Sequence, residues 1–82
     1  MELSIAPGEK VVGLKQSLRA IRQGRARQVF LAEDAQTSIR TPVLQLCAQM
    51  NVTVQNAPTM ARLGKAFGID IGAAVAVVLT EA

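Results

Sequence analysis

The 82-residue sequence contains no histidine, tryptophan or tyrosine, and only one cysteine and two phenylalanines. Without histidine, the chain lacks the commonest general base and metal ligand of proteins. The single cysteine, Cys47, excludes an internal disulfide and a cysteine-rich zinc site. Two phenylalanines are also too few for the usual platform of aromatic rings that grips single-stranded nucleic acid. We therefore expect no catalysis, no bound metal and no cofactor.

Long apolar runs are absent as well. The longest, residues 71–79, is about half the ~20 residues that a membrane helix needs, and no basic stretch followed by an apolar run opens the chain. We expect a cytoplasmic protein without a membrane partner. Apolar residues make up 50% of the chain and charged residues 18%, which is too hydrophobic for a disordered segment. One domain over residues 1–82 is expected, with residues 1–8 as a loose lead-in.

Positive charge is concentrated in one part of the sequence. Residues 10–27 contain no acidic residue, whereas the net charge of the whole chain is only +3. The six cations of this segment are Lys10, Lys15, Arg19, Arg22, Arg25 and Arg27. A polyanion is the natural partner, because each neutralised phosphate releases condensed counterions. The alternative is a solvated basic face that only keeps the protein soluble.

The first predicted helix, between Gly13 and Gly24, carries its basic residues on the outside. Three apolar side chains recur at the i, i+4, i+7 spacing of one helical face: Leu14, Leu18 and Ile21. Three cations form a second stripe, about 100° around the helix axis: Lys15, Arg19 and Arg22. Burial of the apolar stripe therefore exposes the basic one.

The remaining pattern continues an alternation of strands and helices. Strands are predicted at residues 10–12, 28–32, 52–55 and 73–79. The second helix is predicted to begin at Thr41-Pro42, after a separate short turn over residues 37–41. The third begins after Thr59, a typical N-cap residue, and ends at Gly68. This order predicts an α/β fold, a three-layer α/β/α sandwich with a central mixed sheet of about four strands.

Several features that could carry chemistry have a simpler interpretation. Cys47 lies on the apolar stripe of the second helix, which favours a structural role. The adjacent carboxylates of residues 33–34 point opposite ways on an extended chain, so a capping or solvent role is favoured over an acid/base pair. Gly64 indicates close approach of another backbone, a packed strand in preference to a ligand. The isoleucines of residues 69–71 either plug the core or meet a partner.

Three stretches together resemble a known family. They are VGLKQSLRAI at residues 12–21, AEDA at 32–35 and LGKAFGIDI at 63–71. This ordered set is similar to the kink-turn RNA-binding ribosomal proteins of the L7Ae family, most of all to its small bacterial members, over residues 9–80. The resemblance implies an α/β/α sandwich that binds RNA bent sharply at an internal bulge beside tandem sheared G·A pairs.

The resemblance also implies which residues meet RNA. The start of the first helix would contact guanine edges and the backbone at the bend through Gly13, Lys15, Gln16 and Arg19. The loop after the third helix would pack on the splayed nucleotides through Ile69, Asp70 and Ile71, and Gln36 matches a position near the flipped-out nucleotide. Many archaeal and eukaryotic relatives have Asn-Glu where this chain has Lys15-Gln16. The change predicts looser discrimination of the G·A pairs and steeper salt dependence.

The sequence thus predicts a non-enzymatic, monomeric protein whose partner is structured RNA with a kink-turn, with ribosomal RNA and a ribonucleoprotein as candidate settings. One alternative is a stand-alone accessory domain of an RNA-modifying enzyme, and another is a protein-interaction module. The prediction requires that the basic start of the first helix and the loop of residues 69–71 lie side by side.

Overall fold

The computed structural model describes residues 3–80, which form four strands and three helices. Strands and helices alternate along the chain as predicted. Their bounds are β1 Lys10–Val12, α1 Leu14–Arg22, β2 Ala26–Ala32, α2 Thr37–Gln49, β3 Val54–Ala57, α3 Met60–Ala66 and β4 Val75–Leu79.

The strands form one mixed sheet in the order β1-β4-β2-β3. β4 is antiparallel to both β1 and β2, and β3 is parallel to β2. Val77 of β4 is opposite Val11 on one side and Val29 on the other. All five residues of β4 are buried, as its continuous apolar sequence predicts for a central strand.

The helices cover both faces of the sheet and bury a different set of side chains on each. On one face α1 and α2 pack through Ile21, Val43 and Cys47 against alternate residues of β2 and β4. On the other face α3 packs through Leu63 against the residues of β2 and β4 that point to that side of the sheet. Phe67, which directly follows α3, packs against the same cluster. The predicted three-layer α/β/α sandwich is therefore confirmed.

Residues 3–9, which precede β1, have no regular secondary structure, and the first of them lie against the second face. Leu3, Ile5 and Ala6 pack on the cluster around Leu63. The side-chain oxygen of Gln28 accepts a hydrogen bond of 2.7 Å from the Ala6 N–H, and its amide nitrogen donates to the Ser4 carbonyl at 3.0 Å. The lead-in thus covers part of the sheet.

The predicted start of α2 is wrong. The helix begins at Thr37 with Gln36 as its N-cap residue, so Pro42 lies inside the helix and residues 37–41 are its first turns. A proline here removes the bond that would reach the Ser38 carbonyl, and its ring crowds that oxygen. Ser38 is exposed, so water can satisfy that oxygen and the helix continues through the proline.

Four strand boundaries are also displaced from the predicted ones: β2 starts two residues early at Ala26, β3 ends two residues late at Ala57, and β3 and β4 each start two residues late. β3 starts at Val54, because the Val52 N–H donates to the Cys47 carbonyl at 2.8 Å and closes α2 before pairing with β2 begins. β4 starts at Val75, because the Ala73 N–H donates to the Met60 carbonyl at 3.0 Å. In both cases the first residue of the predicted strand bonds to a helix, and the ladder begins two residues later.

Candidate nucleic-acid interface

All three helices begin at the same end of the sheet. β1, β2 and β3 run in one direction, so their carboxyl ends lie together with the amino end of β4. A helix follows each of the three strands, and its N-cap residue lies at this end: Gly13, Gln36 and Thr59. We name this region, with the loop of residues 67–74 that enters β4, the helix-start end.

The first turns of α1 and α2 have neither a negative side chain nor a side-chain cap to satisfy their backbone N–H groups. Neither helix has an acidic residue in its first turn, and neither Gly13 nor Gln36 forms a side-chain cap. Their first backbone N–H groups therefore keep their partial positive charge available to an outside acceptor. Such a helix start favours an anion.

Gly13 places the start of α1 directly beside β4. Its N–H donates to the Val75 carbonyl at 3.0 Å, and its φ of 103° is a conformation that side chains rarely adopt. No atom lies within 4 Å of the position that a β-carbon would occupy. A ligand can therefore approach this backbone closely.

The outer side of α1 is a polar groove with a volume of about 450 Å³. Its lining residues are Lys15, Gln16, Arg19 and Arg22. All four are exposed, whereas Ser17, Ala20 and Ile21 of the same helix are buried. The exposed basic stripe predicted from the sequence is confirmed.

The loop of residues 67–74 is held against α3 and β2. The Ile69 N–H donates to the Gly64 carbonyl at 3.0 Å, and the Ala74 carbonyl accepts from the Ala32 N–H at 2.8 Å. A β-carbon on Gly64 would collide with the Ile71 carbonyl oxygen. The backbone that approaches Gly64 is thus this loop, and the expectation of a packed strand is wrong.

The two isoleucines of this loop have different environments. Ile69 is half-buried and packs on the cluster around Leu63, whereas the side chain of Ile71 is 74% exposed. Asp70 between them is exposed. Ile69 therefore completes the core, and Ile71 is the apolar side chain that the loop leaves in solvent.

The structure brings the predicted site residues to one end of the molecule. The Gly13–Val75 hydrogen bond joins the start of α1 to the strand that directly follows the loop of residues 67–74. Gln36 is exposed at the start of α2, at the same end. Arg19 lies one turn further along α1. The basic helix start and the apolar loop thus share the helix-start end.

Two side chains that hold this end together were not predicted as site residues. The carboxylate of Asp34 accepts from the Met60 N–H at 2.8 Å and so caps α3 together with Thr59, as the capping interpretation of this residue predicted. The guanidinium of Arg40 donates to the Ala32 carbonyl at 2.7 Å. No sequence pattern predicts this role of Arg40, because only the fold decides which carbonyl its guanidinium reaches.

The structure offers little for catalysis in the part of the chain that it describes. Cys47 is buried, and burial raises the pKa of its thiol, which opposes formation of the reactive thiolate. Within residues 3–80, no cluster of three or more Cys, Asp or Glu side chains could hold a metal ion. None of the helices described is long and apolar enough to cross a membrane.

The fold and site define a small α/β/α domain with a cationic helix start and an apolar loop at one end of its sheet. The chain belongs to the family described as the ribosomal protein L7Ae/L30e/S12e/Gadd45 family, whose sequence profile matches residues 2–82. The resemblance seen in the sequence is therefore confirmed.

Individual relatives agree with this assignment. The chain is 40% identical over 78 residues to an RNA-binding protein of Geobacillus sp. strain WCH70, and 38% identical over 78 residues to the RNA-binding protein YbxF of Geobacillus stearothermophilus. Each match covers 95% of both chains. Among solved structures, a protein of unknown function from Bacillus halodurans superposes with a TM-score of 0.77 and 25% identity, over 84% of this chain and 69% of that one.

Proposed function

We propose that this protein binds RNA without catalysing a reaction, and that its target is RNA bent at a kink-turn. The observation that carries the proposal is the meeting of the basic start of α1 with the exposed Ile71 loop at the helix-start end. Membership of the L7Ae family and the names of the Geobacillus relatives support RNA as the partner.

The start of α1 would bind the strongly bent backbone and the adjacent bases. Free N–H groups after Gly13 would donate to a phosphate, which can come close because this residue has no side chain. Lys15 and Gln16 would reach O6 and N7 acceptors of guanine. A bend with non-Watson–Crick pairs exposes these edges, whereas a regular RNA helix hides them in a deep, narrow groove.

The loop of residues 67–74 would cover nucleotides that the bend has unstacked. Ile71 offers an apolar surface on which a base can lie, and full burial of an isoleucine side chain is worth about 1.5–3 kcal/mol. Asp70 would repel phosphate and accept a hydrogen bond from a base amino group instead. Gln36, across the same end, would contact the flipped-out nucleotide.

The same surface suits one RNA bend per protein molecule, so we expect a monomer to bind. A kink-turn in ribosomal RNA is one candidate target, and the assembly would then be part of a ribonucleoprotein. Other structured RNAs offer the same chemistry, because the proposed contacts read the bend and the exposed guanine edges.

A titration against two matched RNAs tests the proposal. One is a duplex with a kink-turn, and the other has its G·A pairs replaced by Watson–Crick pairs, each measured at two salt concentrations. We expect a preference of about tenfold or more for the kinked RNA, which corresponds to ~1.4 kcal/mol. Equal binding would show that only electrostatic attraction operates. Absence of RNA binding would favour a protein-interaction module, and a covalent change in the RNA would favour an enzymatic role.

A further inference from the structure

The basic surface of α1 continues beyond the proposed contacts at the bend. Arg22 lies in the last turn of α1, is exposed, and lines the same groove as Lys15 and Arg19. The helical rise places Arg22 about 10 Å along the axis from Lys15, away from the helix-start end. The proposed contacts with the bend leave this arginine without a role.

Within the part of the chain that the structure describes, the elements that pack on α1 supply no acidic side chain. The elements that pack on it are α2, β1, β2 and β4, and their sequences contain no aspartate or glutamate. The connection that follows α1 adds another exposed cation, Arg25. The charge of the groove is therefore not compensated by the elements around it.

The spacing of the cations fits a nucleic-acid strand. Each strand of B-form DNA places a phosphate about every 3.4 Å along its axis, and the A-form helix of an RNA arm is somewhat more compact, so a stretch of about 10 Å contains roughly three or four phosphates. Lys15, Arg19 and Arg22 present three cations over that length. A strand that leaves the start of α1 in the direction of the helix axis would meet Arg22 last.

We propose that the α1 groove binds the sugar–phosphate backbone of one duplex arm beyond the RNA bend, with Arg22 contacting a phosphate of that arm. This inference rests on the proposed function. The simpler alternative is that Arg22 only complements the partial negative charge at the carboxyl end of α1.

The test compares Arg22→Gln with Lys65→Gln. Lys65 is a matched control, because it is an exposed cation in the last turn of α3, on the other face of the sheet. Each protein is titrated with a kink-turn RNA that has two long arms and with two RNAs in which one or the other arm is cut to a few base pairs. The long-armed RNA with its G·A pairs replaced is included, and all titrations are repeated over a tenfold range of salt.

We expect Arg22→Gln to weaken binding to the long-armed RNA and Lys65→Gln to bind like the unchanged protein. One phosphate contact contributes about 0.9 to the slope of log K against log salt. The advantage of the unchanged protein over Arg22→Gln should therefore shrink about eightfold over a tenfold rise in salt. Cutting one particular arm should abolish the difference, and cutting the other should leave it.

Three results would overturn the inference. In the first, Arg22→Gln binds all the RNAs like the unchanged protein. A change in thermal stability alone is included here, because the helix-end alternative predicts it. In the second, the weaker binding of Arg22→Gln persists whichever arm is cut, which would place Arg22 at the bend. In the third, Lys65→Gln weakens binding in the same way. The unchanged protein's preference for the kinked RNA over its G·A-replaced counterpart is a separate readout, so failure of the proposed function is distinguishable.

Discussion

Replacing Gly64 by alanine tests how the loop of residues 67–74 is held. Helix propensity alone predicts that alanine inside α3 is more stable than glycine by up to about 1 kcal/mol. The structure predicts the opposite sign, because the added methyl group would collide with the Ile71 carbonyl oxygen and crowd the Ala73 nitrogen at 3.3 Å. The loop must then move away from α3.

The expected loss can be worked from the bonds at that contact. The Ile69 N–H bond to Gly64 and the Ala73 N–H bond to Met60 are both 3.0 Å long, and each is worth about 1 kcal/mol. Forcing a methyl group into a packed contact costs a further ~1–3 kcal/mol. After the gain in propensity is subtracted, Gly64→Ala should lower the free energy of unfolding by about 3 kcal/mol. For a domain of this size that is a fall in Tm of roughly 12–24 °C.

Urea unfolding and thermal melting measure this change directly. Ala61→Gly is the control, because Ala61 is exposed on the same helix and reports propensity alone, with an expected loss of about 1 kcal/mol. Gly64→Ala should also bind the kinked RNA more weakly, since Ile71 moves with the loop. A variant as stable as the unchanged protein, or more stable, would refute the close approach of the loop to α3.

Three further predictions concern binding and stability. The double variant Lys15→Ala with Arg19→Ala should bind the kinked RNA at least ~2 kcal/mol more weakly, and its affinity should depend less on salt. Its melting temperature should be unchanged, because alanine is a good helix former. Unchanged affinity in the titration would remove both residues from the site. Ile71→Ser should weaken RNA binding about tenfold and leave the melting temperature unchanged, because Ile71 is exposed. Ile69→Ser should lower the melting temperature, because Ile69 packs on the core. Equal effects of the two variants on the melting temperature would contradict their different environments. Ser17→Ala should raise the free energy of unfolding by about 1 kcal/mol in urea titrations, because the buried Ser17 hydroxyl has no hydrogen-bond partner within the described residues; a less stable variant would indicate that the hydroxyl is satisfied.

Most of the secondary structure was predictable from the sequence, because local rules determine it. The spacing of Leu14, Leu18 and Ile21 predicts which side of α1 is buried, and Thr59 caps α3 as expected. The late starts of β3 and β4 depend on contacts between elements. The start of β3 is delayed because the Val52 N–H bonds to α2, and no local pattern reports such a bond.

The sequence by itself determined that the basic stripe of α1 faces outward, because the apolar stripe of the same helix must be buried. The positions at which RNA is expected were available only through the resemblance of short motifs. Strand order and direction, which tertiary pairing alone decides, bring the starts of α1 and α2 to the same end of the sheet as the loop of residues 67–74. The tertiary structure also decided the different environments of Ile69 and Ile71, because Ile69 packs against the cluster around Leu63, whereas Ile71 remains in solvent.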